Sequence, residues 1–403
     1  MGNKVILLII DGLGVGEMPD APKRDRGANT IKNVAKEVES LKLQNFEKIG
    51  MGNIDKIPGM NAVGENAIAS FGKCMLKHFG ADTFDGHNEI MGTKPKRPFK
   101  RLFREELKKV KKALEKGGYK VTIPFPKMPI LAVNEAVVIA DNLETDPDRS
   151  VFNITAPLDY ISFEEVMKIG KLVRETVKVA RVIAFGSTGY DLGDILKNAK
   201  KGVGGKIGID APALGVYNEN YMCVHMGYGI DPVKQIPTIL GRHGVKVVLI
   251  GKVQDLIQCD TAIKIPAVPT YKVLNSVLAQ MKSDKNTFIA ATVQETDLAG
   301  HEQDPFKYAA KLKIVDKGIG KILQHLKNKD IFIVTADHGN DPTKHKWHTR
   351  EYTPLLITGK NIKKGANLGV RETLADIAAT IAEVFHVERP ESGVSFYKEI
   401  IMN

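Results

Sequence analysis

The stretch Ile331-Phe-Ile-Val-Thr-Ala-Asp-His-Gly-Asn-Asp341 joins a short apolar run to a cluster of polar side chains. The run Ile331–Thr335 is rich in β-branched and aromatic residues, which predicts a buried strand. Asp337 and His338 follow at once and offer a carboxylate oxygen and an imidazole nitrogen, a donor pair that suits Mn²⁺ or Zn²⁺. A turn in which Asp337 caps the backbone and His338 is exposed is the alternative.

The same arrangement occurs near the start of the chain, where the apolar run Val5–Ile10 ends at Asp11. Proteins of the α/β class bind ligands at the carboxyl ends of parallel strands, so Asp11 is a second candidate ligand. The glycines of Gly12–Gly16 are spaced G-x-G-x-G and are followed by Pro19, which does not match the dinucleotide fingerprint G-x-G-x-x-G. A capping role in a turn is the alternative for Asp11.

Further β-branched runs recur along the chain and predict other buried strands. These runs are Ala136–Ala140, Val182–Phe185, Val245–Ile250, Thr287–Ala291 and Leu355–Thr358. Segments with helical periodicity lie between them, namely Phe163–Val177, Val233–His243, Pro305–Lys327 and Glu372–Phe385. Strands that alternate with helices predict an α/β fold, in which helices flank a central, mostly parallel sheet.

The length of 403 residues exceeds one ordinary hydrophobic core, so two domains are expected. The segment from Pro95 to Tyr217 begins with a basic helix, contains its own strand and helix candidates, and ends in the Gly-rich passage Lys201–Lys206. We interpret it as an insertion in a sheet domain. The predicted boundaries give a core of residues 1–96 and 218–403 and a smaller inserted α/β cap domain of residues 97–217.

The net charge of +11 suits two kinds of partner, nucleic acid or small phosphorylated molecules. In the densest basic segment, Phe103, Leu107, Val110 and Leu114 recur at helical spacing. This pattern is typical of an amphipathic helix with a solvated basic face. Because no zinc-finger, helix-turn-helix or RNP-type signature accompanies it, we expect no nucleic-acid partner.

The cysteines and the hydropathy of the chain indicate in which cellular compartment the protein is expected. Cys74, Cys223 and Cys259 are odd in number and lack C-x-x-C spacing, which argues against a disulfide framework and favours a reducing cytoplasm. No apolar run approaches the ~20 residues that span a bilayer, and the first residues lack a signal-peptide pattern. We therefore expect a cytoplasmic protein without a membrane partner, whose oligomeric state the sequence leaves open.

Two further motifs carry metal-ligand types. The predicted strand Thr287–Ala291 leads to Asp297 and His301, which are about one helical turn apart and able to converge on one ion. His348 precedes the last predicted strand and is preferred to His345, which lies in a lysine-flanked turn. A helix start capped by Asp297, with structural or solvated histidines, is the alternative.

Taken together, these motifs supply three carboxylates and three imidazoles, which suffice for two divalent ions with open positions. The six residues are Asp11, Asp297, Asp337, His301, His338 and His348. Two ions ~3.5–4 Å apart can clamp both the attacking and the leaving oxygen of a phosphoryl transfer. The candidate nucleophile is Thr83, whose hydroxyl needs a metal to become reactive and whose Gly-rich surroundings let backbone N–H groups approach a phosphate. An ordinary turn threonine is the alternative.

In this order the motifs resemble the alkaline phosphatase superfamily of metalloenzymes and, more closely, the phosphopentomutases. The stretches that carry the resemblance are Asp11–Ala21, Asp82–Gly92, Asp337–Thr343 and His348–Tyr352. The resemblance implies a metal-binding core with an inserted cap domain and a threonine that carries the phosphoryl group. It also implies two divalent ions, usually Mn²⁺, with Zn²⁺ and Mg²⁺ as alternatives.

The resemblance also assigns roles by position. Thr83 corresponds to the phosphorylated nucleophile, beside one metal held by Asp11, Asp337 and His338. The other metal corresponds to Asp297, His301 and His348. Two further positions match residues near the substrate, Lys252 in the core and Ser150 in a cap segment that faces the sugar.

The implied activity is that of a phosphomutase, which moves a phosphoryl group between positions of a sugar phosphate, with a sugar bisphosphate as primer. A phosphatase on the same two-metal site and a non-catalytic basic binding protein are the alternatives. The segments Val182–Phe185 and Tyr217–Tyr221 lack the cap arginines that the resemblance leads one to expect for a pentose phosphate. The resemblance therefore leaves the sugar phosphate undefined.

Overall fold

Strands form mainly at the short apolar runs, and helices occupy the amphipathic segments between them. The computed structural model describes residues 2–39, 41–145 and 149–402. Its strands are β1 (Lys4–Ile10), β2 (Ser70–Cys74), β3 (Val121–Thr122), β4 (Leu131–Val133), β5 (Val137–Asp141), β6 (Val151–Pro157), β7 (Arg181–Ser187), β8 (Ala199–Lys201), β9 (Ile207–Ile209), β10 (Met222–Gly227), β11 (Lys246–Gly251), β12 (Ile263–Ile265), β13 (Thr287–Val293), β14 (Ile331–Thr335), β15 (Thr353–Gly359) and β16 (Asn367–Arg371).

The α-helices follow the same order along the chain. They are α1 (Thr30–Glu37), α2 (Gln44–Lys48), α3 (Met51–Ile54), α4 (Thr83–Ile90), α5 (Phe103–Lys116), α6 (Phe163–Thr176), α7 (Leu192–Lys197), α8 (Ala211–Leu214), α9 (Ile236–Arg242), α10 (Val253–Leu256), α11 (Thr270–Gln280), α12 (Glu295–His301), α13 (Pro305–His325), α14 (Ala375–Phe385) and α15 (Tyr397–Ile400). Among the described residues, none of these helices is both long enough and apolar enough to cross a membrane.

The chain divides into two compact units, one of Met1–Pro95 with Asp231–Asn403 and one of Lys96–Ile230. The first unit contains an eight-stranded sheet in the order β12-β11-β13-β1-β14-β15-β2-β16. Neighbouring strands from β12 to β14 are parallel, whereas β15 is antiparallel to both β14 and β2. The predicted α/β fold with a mostly parallel sheet is therefore confirmed.

Both faces of strand β1 are buried. Its even-numbered residues from Ile6 to Ile10 pack into one hydrophobic core together with side chains of α1, α2, α11 and α13. Its odd-numbered residues from Val5 to Ile9 pack into a second core with α9, α10 and α14. Successive side chains of a strand point to opposite faces, so a strand covered on both faces needs apolar residues throughout. This requirement explains why β1 was readable as an unbroken apolar run.

The strand order places the candidate ligands at one edge of the sheet. Strands β13, β1 and β14 are neighbours, with Ile10 opposite Val293 and Ile9 opposite Thr335. The three strands are parallel and in register, so the segments that follow them leave the sheet at the same edge. Asp11 follows β1, α12 follows β13, and Asp337 follows β14.

The second unit, Lys96–Ile230, has a six-stranded sheet in the order β10-β7-β6-β5-β4-β3 and a two-stranded sheet of β8 and β9. Helices α5 and α6 share a core with one face of the larger sheet. The predicted amphipathic helix is confirmed as α5, in which Phe103, Leu107, Val110 and Leu114 are the buried residues.

The chain returns to the first unit later than the predicted boundary between residues 217 and 218. Strand β10 pairs with β7 along its whole length, from Met222 opposite Gly186 to Gly227 opposite Arg181. A strand bonded to a sheet through its backbone belongs to the same unit as the sheet, and the change of unit therefore comes after Ile230. Strand β10 is not predicted from the sequence because most of its residues are partly exposed, so it lacks an apolar run.

A buried ion pair ties the start of β1 to the turn before β14. Lys4 is 0% exposed and Asp330 is 2% exposed, and Lys4 Nζ lies 3.7 Å from Asp330 Oδ1. Within the described parts of the chain, neither of these two atoms has a hydrogen-bond partner. Each charge is therefore compensated mainly by the other, because buried charges are tolerated only when they are paired.

We expect Asp330→Asn to lower the free energy of unfolding by about 3–5 kcal/mol, because it leaves the Lys4 ammonium buried without a countercharge. The double variant Lys4→Met/Asp330→Asn should be less destabilised than Asp330→Asn, since no isolated charge remains. Urea unfolding followed by circular dichroism measures both. The exposed pair Lys120–Glu135 is the control, where Glu135→Gln should leave the unfolding midpoint unchanged. The single variant Lys4→Met completes the comparison. If the double variant lost as much stability as the two single variants added together, the two charges would not be paired.

Candidate metal centre

The first group of polar side chains lies where β1 and β14 end beside the start of α4. Asp11 and His338 are 0% exposed, and Thr83, the first residue of α4, is 8% exposed. Thr83 Oγ1 lies 2.7 Å from His338 Nε2 and 3.3 Å from Asp11 Oδ1. Asp337 Oδ2 lies 3.2 Å from the same His338 nitrogen. A hydroxyl, an imidazole and two carboxylates thus converge in a buried space.

His338 is held in the form that binds metals. Its Nδ1 donates to the carbonyl oxygen of Gly339 at 3.1 Å, so Nε2 keeps its lone pair and can accept from the Thr83 hydroxyl. Burial lowers the pKa of His338 to about 3, because a low-dielectric environment disfavours the imidazolium. Neutral imidazole is the ligand form of histidine.

The two carboxylates of this group are buried close to each other, an arrangement that a divalent cation would stabilise. Burial, together with the neighbouring Asp337, raises the pKa of Asp11 to about 7. Asp337 Oδ1 accepts the Gly12 N–H at 3.2 Å, whereas its buried Oδ2 finds no hydrogen bond of good geometry among the described residues. A buried anionic oxygen without a full set of donors is costly unless a cation balances it.

The second group lies beyond β13. Asp297 and His301 are one turn apart on α12, and His348 lies in the loop before β15. The Asp297 carboxylate oxygens are each 3.4 Å from a histidine nitrogen, Oδ1 from His348 Nε2 and Oδ2 from His301 Nε2. Both histidines use Nδ1 to bond a backbone carbonyl oxygen. His301 Nδ1 lies 2.7 Å from the carbonyl oxygen of Lys346, and His348 Nδ1 lies 3.2 Å from that of Ala81. Both Nε2 atoms are therefore directed towards Asp297.

The separation of the two histidine nitrogens fits ligands of one ion. His301 Nε2 and His348 Nε2 are 3.1 Å apart. With metal–nitrogen bonds of about 2.0–2.1 Å, two nitrogens of a tetrahedral site are about 3.3 Å apart. Burial lowers the pKa of His348, but Asp297 outweighs burial and raises it to about 9, so this position attracts positive charge.

Two sets of ligand atoms within the described residues are close enough to bind an ion, with all atoms of each set within 4.8 Å of one another. The sets are Asp11, Asp337 and His338, and Asp297, His338 and His348. His338 belongs to both because its ring stacks on that of His348, with centroids 3.9 Å apart. Its Nε2 contacts Thr83 Oγ1, which favours the first set.

Lys252 links the two groups. It follows β11, and its Nζ lies 2.8 Å from Asp11 Oδ2 and 3.3 Å from Asp297 Oδ2. The ammonium also donates to Thr83 Oγ1 at 3.2 Å. Burial lowers the pKa of Lys252, but Asp11, Asp297 and Asp337 together raise it above its usual range. A fixed positive charge therefore lies beside the threonine hydroxyl.

Two other sequence candidates have different surroundings. His345 Nε2 lies 2.9 Å from Asp25 Oδ1 and so faces a carboxylate outside both groups. Ser150 belongs to the unit Lys96–Ile230, where its hydroxyl oxygen accepts the backbone N–H of Arg101 at 2.8 Å. This bond gives Ser150 a structural contact within its own unit.

Two residues that contact the ligands were not singled out from the sequence. Asn340 donates its side-chain amide to Asp297 Oδ1 at 2.8 Å and to the Asp297 carbonyl at 3.1 Å. His87 Nδ1 lies 2.8 Å from the Thr83 carbonyl oxygen. The spacing of four residues between Thr83 and His87 on one helix was a usable signal. Asn340 carried none, because its contact depends on the adjacency of β13, β1 and β14.

Glycines permit the close approaches that assemble the centre. Gly12 has a φ of +78°, and a Cβ there would lie 2.9 Å from Asn340 Cβ. A Cβ on Gly86 would lie 2.5 Å from the carbonyl oxygen of Asp337, so only glycine lets α4 pack this tightly against that residue.

Comparisons with known proteins match nearly the whole chain to one family of enzymes. The model of the Metalloenzyme superfamily matches residues 3–389. A phosphopentomutase from Clostridioides difficile (strain 630) is 32% identical over 413 residues, which cover 98% of this chain and 98% of the relative. A phosphopentomutase from Alkaliphilus oremlandii (strain OhILAs) is 33% identical over 422 residues, with 100% of both chains covered.

A solved structure shares the fold. Phosphoglycerate mutase from Leishmania mexicana matches 98% of this chain and 97% of its own, with a TM-score of 0.51 and 12% sequence identity. At this identity the likeness concerns the fold alone. Because the family model spans residues 3–389 and relatives are about a third identical from end to end, the chain belongs to the metalloenzyme superfamily and, within it, to the phosphopentomutase family.

Proposed function

We propose that the chain is a metal-dependent phosphomutase, an isomerase that moves a phosphoryl group between two positions of a sugar phosphate through phosphorylated Thr83. The observation that carries the proposal is the position of Thr83 Oγ1, which lies 2.7 Å from His338 Nε2, 3.2 Å from Lys252 Nζ and 3.3 Å from Asp11 Oδ1. The phosphopentomutase relatives favour a pentose phosphate as the substrate.

We further propose that two divalent ions bind, one in each group. Asp11, Asp337 and His338 would hold the ion beside Thr83, and Asp297, His301 and His348 would hold the other. Such ions neutralise phosphoryl charge and lower the pKa of a coordinated hydroxyl. A donor set of carboxylates and imidazoles suits Mn²⁺, with Zn²⁺ and Mg²⁺ as alternatives.

Residues of the chain prepare Thr83 for transfer. Its hydroxyl has two acceptors within reach, Asp11 Oδ1 at 3.3 Å and His338 Nε2 at 2.7 Å, which can accept because Nδ1 is committed to Gly339. The Lys252 ammonium beside Oγ1 supplies donors for the oxygens of a phosphoryl group attached there. Thr83 also begins α4, where the helix dipole favours negative charge.

The proposed reaction is two successive transfers. The bond between Thr83 Oγ1 and phosphorus breaks while a free hydroxyl of the sugar phosphate bonds to the same phosphorus, giving a sugar bisphosphate. After the bisphosphate turns around, Thr83 Oγ1 takes the other phosphoryl group and the isomeric monophosphate leaves. A bisphosphate can therefore prime unphosphorylated enzyme, and no free phosphate forms.

The remaining assignments rest on the sequence. Sugar recognition is proposed for the unit Lys96–Ile230 and includes Ser150. A cytoplasmic location is proposed from the odd number of cysteines and their spacing. The proposed partner is a small sugar phosphate.

Thr83→Ala should lower turnover by about 10³-fold or more, because it removes the only oxygen that carries the phosphoryl group in this mechanism. Isomerisation of pentose phosphates by Mn²⁺-loaded protein measures the effect. The metal content should stay close to that of the unmodified protein, which elemental analysis checks. Full turnover of Thr83→Ala would show that another residue is the nucleophile.

Asp337→Asn and Asp297→Asn should each weaken the binding of one ion, since each removes the charge of a ligand in a different group. Elemental analysis at a Mn²⁺ concentration that just saturates the unmodified protein should give two ions per unmodified chain and about one per variant. His345→Gln is the matched control, because His345 faces Asp25 and should leave both ions bound. Loss of metal in His345→Gln, or none in both aspartate variants, would contradict the assignment.

A screen of pentose, deoxypentose and hexose phosphates, with a bisphosphate primer, should show isomerisation without free phosphate. Phosphate release and product formation are measured in the same sample. Steady release of phosphate without an isomeric product would instead identify a phosphatase on the same site, in which water replaces the sugar hydroxyl as acceptor.

A further inference from the structure

A buried histidine outside the two ligand groups connects the helix of the nucleophile to a metal-binding carboxylate. His87 lies in α4 and is 0% exposed. Its Nδ1 is 2.8 Å from the carbonyl oxygen of Thr83 and 3.1 Å from Asp337 Oδ2. Its Nε2 is 2.8 Å from Thr292 Oγ1, at the end of β13. Both ring nitrogens are therefore engaged by different elements.

The hydrogen on this ring can be assigned from its neighbours. The Thr83 carbonyl oxygen can only accept, so Nδ1 carries a hydrogen. This hydrogen bonds to the Thr83 carbonyl, and Asp337 Oδ2 lies 3.1 Å from the same nitrogen. The described residues provide no hydrogen bond of good geometry to that carboxylate oxygen, so Nδ1–H is the nearest donor that a small shift could direct to it. The Thr292 hydroxyl on the other side can donate to Nε2.

Packing forces His87 into this position. The absence of a side chain at Gly86 lets α4 lie directly against the backbone of Asp337. The other oxygen of the Asp337 carboxylate accepts the Gly12 N–H from the loop after β1. The carboxylate is thus located by groups on two separate elements, the Gly12 loop and α4.

We propose that His87 is a positioning residue, whose Nδ1–H group holds the Asp337 carboxylate and the first turn of α4 in fixed relation to each other. This inference rests on the proposed function, since it explains how Thr83 Oγ1 stays within reach of an ion bound by Asp337. His87 acts through Thr83 and Asp337 and does not itself touch the reacting atoms. Loss of the partner that orients a metal ligand typically lowers metal affinity or activity 10–100-fold.

The test compares two amides at position 87. An asparagine amide can place its N–H near the position of Nδ1, whereas a glutamine amide reaches the position of Nε2. His87→Gln should therefore weaken Mn²⁺ binding and lower kcat by about 10–100-fold, with KM for the sugar phosphate nearly unchanged. His87→Asn should recover most of this loss. Thr292→Val, which removes only the partner of Nε2, is the control and should keep both Mn²⁺ affinity and kcat.

Titration of each purified variant with Mn²⁺ measures the metal affinity without depending on turnover. Circular dichroism checks that each variant is folded. Wild-type Mn²⁺ affinity and kcat in His87→Gln would overturn the proposal. Equal losses in His87→Asn and His87→Gln would also overturn it, because ring packing rather than the Nδ1 donor would then be responsible. A third outcome separates the two proposals. If His87→Gln is the one variant that binds Mn²⁺ more weakly, but the unmodified protein isomerises no sugar phosphate, the positioning role is supported and the proposed function is rejected.

Discussion

Repulsion among three buried carboxylates is the interaction on which the centre depends. Asp11, Asp297 and Asp337 are at most 2% exposed, and Lys252 is the ammonium that contacts two of them. Burial, reinforced by the neighbouring Asp337, raises the pKa of Asp11 to about 7. At Asp297 and Asp337, burial is outweighed by Lys252 and nearby histidines, which lower the pKa of both carboxyls. A protein that holds such charges together must supply rigid support from elsewhere, and it gains stability when divalent cations bind.

That support comes from the layered sheet. Strand β1 is packed between two hydrophobic cores and bonded on both sides to β13 and β14. The backbone that carries Asp11 and Asp337 therefore cannot relax to separate the charges. The glycines complete the support, because Gly12 and Gly86 let neighbouring backbone come close enough for Asn340 to bond Asp297 and for His87 Nδ1 to lie 3.1 Å from Asp337 Oδ2.

The two compact units differ in the kinds of side chain that they gather. In the first, carboxylates and an imidazole surround Thr83. In the unit Lys96–Ile230, the segments without the expected arginines form an aromatic cluster, in which the Tyr221 ring lies 5.1 Å from that of Tyr217 and 6.2 Å from that of Phe185. Tyr217 also donates its hydroxyl to Glu144 at 2.5 Å. Aromatic rings and a hydroxyl bonded to a carboxylate therefore occupy these segments, and neither offers the positive charge of an arginine.

Local patterns revealed the doubly buried strands and the polar residues directly after them, because burial on both faces leaves an unbroken apolar run that ends abruptly at Asp11 or Ala336-Asp337. Strand β6 escaped detection because polar Asn153 is buried in it, bonded to Asn142 from the neighbouring segment. The convergence of Thr83, Lys252 and His338 came only from the order β13-β1-β14 and the packing of α4, since their contacts join residues far apart in the chain. Periodicity reports the environment of each segment, whereas distances between segments depend on which strands become neighbours.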